Sequence, residues 1–199
     1  MRTILSLSGT SPSTATGRVS MPAPVRAGVR LVFVSDAVVV RRARIGDVRA
    51  IKSIIDAYVG KVLLAKELVT LYEDVQEFWV AELDGELVGC GALHVLWEDI
   101  AEIRSIAVLP HAVRLGAGGK LVERLIALAR ELGLARLFVL TFETAFFARY
   151  GFVEIDGTPV RPEVFEEMRR SHDEGVAEFL DLPYVKPNTL GNARMLLEL

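Results

Sequence analysis

The fold is decided by one run: Ile106-Ala107-Val108-Leu109-Pro110-His111-Ala112-Val113-Arg114-Leu115-Gly116-Ala117-Gly118-Gly119-Lys120-Leu121. It begins as the end of an apolar strand, 101–108, which Pro110 stops. Beyond the glycines, Leu121, Leu125, Leu128 and Leu132 recur at helical spacing through 120–132, and Gly133 closes that helix. Glycines between a strand and a helix let the backbone approach a ligand closely, and the free N–H groups of the helix start attract phosphate. Two phosphate motifs fail here. A P-loop needs a glycine at 114 and Ser or Thr after Lys120, but those residues are Arg114 and Leu121. A dinucleotide fingerprint needs a third glycine at 121, again leucine. Either a plain tight turn or a diphosphate site flanked by Arg114 remains.

Working outward, 38–43 reads as a strand, and Asp47 is a fair N-cap for a helix carrying Val48, Ile51, Ile54, Ile55 and Tyr58. A second short helix places Leu68, Leu71, Tyr72 and Val75 on one face. Asp84-Gly85 joins the β-rich runs 78–83 and 86–96 as a hairpin, and 101–108 continues the meander. The run 136–141 is an apolar strand of the kind buried on both faces. A helix at 145–150, a strand at 152–155, a helix from Pro162 to about 171 and a strand at 195–199 complete the order. One βαβ crossover therefore sits inside an otherwise antiparallel sheet, an α/β domain without internal repeat.

The chain has 199 residues and a net charge of −3, a length that suits one domain with an appendage. With 51% hydrophobic and 25% charged residues it has globular composition, which excludes bulk disorder, a collagen-like fibre and mass-charge binding of nucleic acid. Charge is uneven: residues 1–35 hold four arginines and no carboxylate, leaving 19 basic against 26 acidic residues, a net of −7, for the remainder. That Ser-, Pro- and Ala-rich start reads as a flexible basic tail, either an organellar transit peptide or an over-extended start before Met21. The single cysteine, Cys90, excludes an intramolecular disulfide and fits a reducing compartment such as the cytoplasm. No run reaches the roughly 18 apolar residues of a membrane span. His94, His111 and His172 make no metal-ligand spacing with Cys90, so no metal is expected.

The run 106–121 resembles the acetyl-CoA motif of the GNAT acetyltransferase superfamily, whose pattern is Gln/Arg-x-x-Gly-x-Gly/Ala; its first position is Val113 here, with arginine one residue later at 114. The element order is also that family's, and the resemblance spans about 38 to 199. A closer one comes from Arg136-Leu137-Phe138-Val139-Leu140-Thr141 and Phe146-Phe147-Ala148-Arg149-Tyr150-Gly151-Phe152. With Ala101-Glu102-Ile103, Cys90-Gly91-Ala92-Leu93 and Leu182-Pro183, these resemble the N-acetylglutamate synthases of arginine biosynthesis, in the short form that lacks an amino-acid-kinase-like domain.

The resemblance implies a GNAT fold with splayed central strands. It implies acetyl-CoA on Ile106, Ala107, Val108, Arg114, Leu115, Gly116, Ala117, Gly118 and Gly119, and glutamate or glutamine as the acceptor. Glu102 falls at the position of the synthases' base; the alternative is a surface carboxylate paired with Arg104. Alternation puts Glu102 on one face with Arg104, Ile106 and Val108, unless a bulge intervenes. The tyrosine that protonates the leaving thiolate in many members of the family is Phe147 here; either Tyr150 or Tyr184 replaces it, or the thiolate takes its proton from solvent or the ammonium product. Thr141 either hydrogen-bonds cofactor or water, or fills the strand. Lys66, Arg104 and Arg194 are candidates for the acceptor's α-carboxylate; Asn188, in a segment 186–194 that resembles the synthases' closing Asn-rich one, is a further acceptor-binding candidate, and the loss of two basic positions there, at Gly191 and Asn192, would admit glutamine. Partners are then small molecules, with no nucleic acid or membrane, and a homodimer is allowed. The rivals are an acetyltransferase for another small amine or a protein N-terminus, and a non-catalytic acyl-CoA sensor.

Overall fold

The computed structural model describes residues 38–60, 63, 65–184 and 192–199. The basic start of the chain and Asn188 lie outside them.

Seven strands form one sheet in the order β1-β2-β3-β4-β5-β7-β6. β1 is Val39–Arg42, β2 Phe78–Leu83, β3 Glu86–Val95, β4 Ile100–Val108, β5 Arg136–Thr141, β6 Val153–Glu154 and β7 Ala193–Glu198. Only β4 and β5 run parallel. The expected hairpin is present: Asp84 and Gly85 both take positive φ, 51° and 88°, as a two-residue turn between right-twisted strands requires.

The helices are α1 (Val48–Asp56), α2 (Leu68–Glu73), α3 (Ala117–Glu131), α4 (Thr144–Ala148), α5 (Pro162–Met168) and α6 (Glu174–Phe179). α3 buries Leu121, Val122, Leu125 and Ala129 against one face of the sheet, with Ala101, Ile103, Leu137 and Val139. α1 covers part of the other face through Val48, Ile51, Ile54 and Ile55, against Val80, Cys90, Ala92 and Ala107. α5 and α6 bury Val164, Met168, Val176 and Phe179 against Ile100 and Phe138. Phe179 meets Phe138 edge-on with ring centroids 4.8 Å apart, which ties α6 to β5.

Two expectations are corrected. The helix expected at 120–132 begins at Ala117, so Gly118 and Gly119 lie in its first turn and only Gly116, at φ 78°, makes the left-handed entry. The second concerns β4. Its pairing with β3 slips between Cys90, opposite Ala107, and Ala92, opposite Arg104. Two steps along β3 thus face three along β4, and Ser105 takes φ 56°. This is a β-bulge, and it reverses the alternation. Glu102 and Arg104 stay on the α1 and α6 face, while Ile106 packs with Val108 on the α3 face. α6 is an element the periodicity reading did not include.

Gly91 marks where the bulge presses on β3. A Cβ there would lie 2.3 Å from Ile106 Cδ1 and 3.4 Å from Leu125 Cδ1. Gly91→Ala should therefore force Ile106 off its position, at a cost of about 1–3 kcal/mol. A thermal melt should show Tm lowered by about 3–10 °C; an unchanged Tm would mean that Ile106 yields freely.

Candidate functional site

β4 and β5 pair only over Ile100, Ala101 and Glu102, against Arg136, Leu137 and Phe138. Beyond Glu102 the two strands part. A cleft of about 1030 Å³ opens between them, lined by 102–108 of β4 and 139–141 of β5. One wall comes from Val113, Arg114, Gly116, Gly118, Gly119, Phe146, Arg149 and Tyr150. The other comes from α2, α6 and their flanks and is rich in carboxylates: Glu67, Glu73, Asp74, Asp173, Glu174 and Glu178.

The first wall has the features of an anion site. Among the described residues no side chain caps the N-terminus of α3, a helix of 15 residues, which leaves its first amides for an acceptor. A Cβ at Gly119 would lie 2.6 Å from the Tyr150 hydroxyl, so a side chain there would have to displace that ring from the cleft wall. Arg114 lies in the 3-10 turn Pro110–Leu115, and Arg149 stacks on Phe146 with its guanidinium 5.0 Å from the ring centroid. Of the residues singled out for the cofactor, Ile106, Ala107, Val108, Arg114, Gly116, Gly118 and Gly119 line the cleft. Leu115 points outward, 45% exposed, and the side chain of Ala117 is buried in the core under α3. These two offer backbone only.

At the point of parting sits a buried group of charges. Glu102 is 4% exposed, and its Oε2 accepts a 3.0 Å hydrogen bond from Arg104 Nε. The sequence alternative of a surface carboxylate is thus corrected: the pair with Arg104 exists, but it is buried. Arg104 donates on its far side to both oxygens of Asp173, Nη1 to Oδ2 at 3.1 Å and Nη2 to Oδ1 at 3.0 Å. Burial pushes the Glu102 carboxyl above the usual range, although the charge and hydrogen bond of Arg104 pull the other way. Burial disfavours the Arg104 charge too, but Glu102 and Asp173 more than offset that and hold the guanidinium charged. Glu178, also in the cleft, is pushed up to about 7, first by burial and then by the Glu102 charge.

The remaining candidates divide. Thr141 is buried at the end of β5, and its Oγ1 accepts from the Glu143 N–H at 2.9 Å, which leaves its hydroxyl proton to donate. Lys66 lines the cleft and has one long contact, Nζ to Asp74 Oδ2 at 3.9 Å. Arg104 faces the cleft but is held by two carboxylates. Arg194 is a correction. Its guanidinium donates to the carbonyls of Gly157, Glu178 and Phe179 and lies over the Phe138 ring, so it braces α6 and does not line the cleft. Asn192 does line it, and its Oδ1 is buried without a partner among the described residues.

Sequence reading missed Asp173, Gly175, Glu178 and Arg149. A signal existed for the first three: Asp173 is an N-cap type followed by Val176, Phe179 and Leu180 at helical spacing, and its Oδ1 indeed accepts from Val176 N–H at 2.8 Å. Among the described residues, no three or more His, Cys, Asp or Glu side chains are grouped to hold a metal. Cys90 is fully buried behind the bulge, and burial pushes its thiol up to about 12, with the Ala107 N–H opposing. A thiol so placed is a poor nucleophile. Native protein should therefore not react with a disulfide reagent at pH 8 over minutes, whereas denatured protein should release one equivalent; fast native labelling would show β4 opening.

The family model described as "Acetyltransferase (GNAT) family" matches residues 52–152. A Mycobacterium tuberculosis protein named amino-acid acetyltransferase is 66% identical over 164 residues, covering 81% of this chain and 94% of that protein. An amino-acid acetyltransferase from Neisseria meningitidis is 36% identical over 131 residues, and this chain spans 30% of its length. Among solved structures, a Mycobacterium tuberculosis protein in complex with CoA and NLQ has TM-score 0.79 at 66% identity, covering 81% of this chain and 99% of that one. N-acetylglutamate synthase from Neisseria gonorrhoeae, complexed with coenzyme A and N-acetyl-glutamate, has TM-score 0.64 at 27% identity, covering 81% of this chain and 35% of that one.

Proposed function

We propose, for a chain that belongs to the acetyltransferase (GNAT) family, that it is an amino-acid N-acetyltransferase moving acetyl from acetyl-CoA to the α-amine of glutamate or glutamine, the opening step of arginine biosynthesis. The observation that carries this reading is the buried carboxylate Glu102 at the parting of β4 and β5, beside a wall fit for a diphosphate.

The uncapped amides of α3, with Arg114 and Arg149 beside them, would hold the diphosphate. The β4 edge from Arg104 to Val108, with no β5 partner, would pair with the extended pantetheine arm. The thioester supplies an activated acetyl group. The chain must then provide a base, because an amine near neutral pH is mostly protonated and an ammonium cannot attack. A desolvated carboxylate is a stronger base than one in water, and Glu102 is such a group, directly or through one water. Its Oε1 is the oxygen not engaged by Arg104. The Thr141 hydroxyl, at the opposite lip, would donate to the cofactor or an ordered water.

Acceptor choice follows from the second wall. An amino acid needs one cation for its α-carboxylate, and Lys66, whose one ion pair among the described residues is the long contact to Asp74, is the least committed one there. A second carboxylate on the acceptor would face Glu73, Glu174 and Glu178, whereas a side-chain amide could meet Asn192. Glutamine is therefore the preferred acceptor of the two.

Release of free thiol from acetyl-CoA, followed over an amino-acid panel, tests the proposal. Glutamine should give a higher kcat/KM than glutamate. Lys66→Met should raise the acceptor KM by about 10-fold or more, the loss of one charge-assisted hydrogen bond. Glu102→Gln should lower kcat at least 100-fold, the scale of general-base catalysis, and leave acetyl-CoA affinity unchanged. Acetyl-CoA binding without thiol release across the whole panel would leave the sensor; turnover only with polyamines or peptides would move the acceptor class.

A further inference from the structure

We infer that Arg104 and Asp173 are positioning residues, which together fix the orientation and the charge state of Glu102; this rests on the reading of Glu102 as the base.

The guanidinium of Arg104 bridges two carboxylates. Nε holds one oxygen of Glu102, while Nη1 and Nη2 form a two-point contact with Asp173. The Arg104 side chain is 9% exposed, so its contacts are not averaged by water. Asp173 cannot swing away without loss, because Oδ1 also caps α6 at Val176 N–H. The floor beneath the guanidinium is Gly175, where a Cβ would lie 2.7 Å from Nη2 and 2.8 Å from Cζ. This position needs a glycine for space, not for backbone angle. Four residues on two elements thus place one hydrogen bond on Glu102 Oε2, and Oε1 has no partner among the described residues.

The arrangement also divides the charge of Arg104. If it faced Glu102 alone, it would hold the carboxylate ionised and make it a weak base. Asp173 draws on the same cation and adds a like charge beyond it, so the carboxylate keeps its basicity. Other charges reaching this cluster are His94 and Glu77, which hydrogen-bond each other at 2.8 Å, together with Asp74, Glu178 and Arg194.

The experiment is the pH dependence of kcat/KM for the amino acid in wild type, Asp173→Asn, Asp173→Ala, Arg104→Gln and Glu102→Gln, with acetyl-CoA affinity measured on each. Asparagine keeps the helix cap and removes the charge, so Asp173→Asn separates the two roles. Its expected result is an acid limb moved about one unit lower, with kcat reduced about 10-fold and acetyl-CoA affinity unchanged. Arg104→Gln should move the limb in the opposite direction by a similar amount. Glu178→Gln is the control for the carboxyl that burial pushes up to about 7, and it should leave both shifts in place. Gly175→Ala should reproduce the fall in kcat. An Asp173→Asn enzyme with a wild-type limb and kcat would overturn the inference and leave Asp173 as a helix cap, visible only in the melting of Asp173→Ala. Shifts of the same sign in Asp173→Asn and Arg104→Gln would overturn it as well. Full turnover in Glu102→Gln would overturn the base reading and this inference with it, whereas lost turnover there beside an unmoved Asp173→Asn overturns the inference alone.

Discussion

The cleft depends on the parting of β4 from β5 directly after Glu102. Parallel neighbours in a sheet normally stay paired over their length, because an unpaired buried amide or carbonyl costs as much as a lost hydrogen bond. Just beyond the parting comes the bulge at Ser105, which shifts the side-chain alternation of β4 by one. The consequences are local and chemical. Glu102 and Arg104 are left on the face where α6 meets the sheet. Ile106 and Val108 go to the opposite face to support α3. The strand edge between them is exposed to whatever enters.

Electrostatics then sorts the cleft into two halves. The α3 side offers helix amides, Arg114 and Arg149. The α2 and α6 side offers mainly carboxylates, with Arg104 neutralised by Glu102 and Asp173. Such a division suits one large anionic substrate and one amine-bearing substrate. It also accounts for a net-acidic domain that handles an anion: the positive potential is concentrated where it is used.

Much of this was legible in the sequence because the signals were local. The hairpin at Asp84-Gly85, the α3 stripe and the buried β5 each carry their own periodicity or turn chemistry, and the family motif lies in one unbroken run. Glu102 and Thr141 were identified with their neighbours, and both reach the cleft. What was not legible depended on contacts across the chain. The face of Ile106 depended on a bulge that no residue type announces. Arg194 has the look of a free cation, but the fold gives it three carbonyls to bind. Asp173 lies 69 residues from Arg104, and nothing in either neighbourhood foretells their meeting. Sequence spacing orders residues along an element; it does not say which distant element will share their hydrogen bonds.

The most direct test of the account is a crystal structure of the chain with CoA and the acetylated amino acid. The account predicts the diphosphate on the amides of 117–119, the pantetheine alongside Ile106 and Val108 in the parted strands, and the product's amide nitrogen within one water of Glu102 Oε1. A ternary complex in which the thiol end lies away from the parting, or in which Glu102 faces neither the amide nitrogen nor a water bound to it, would contradict it.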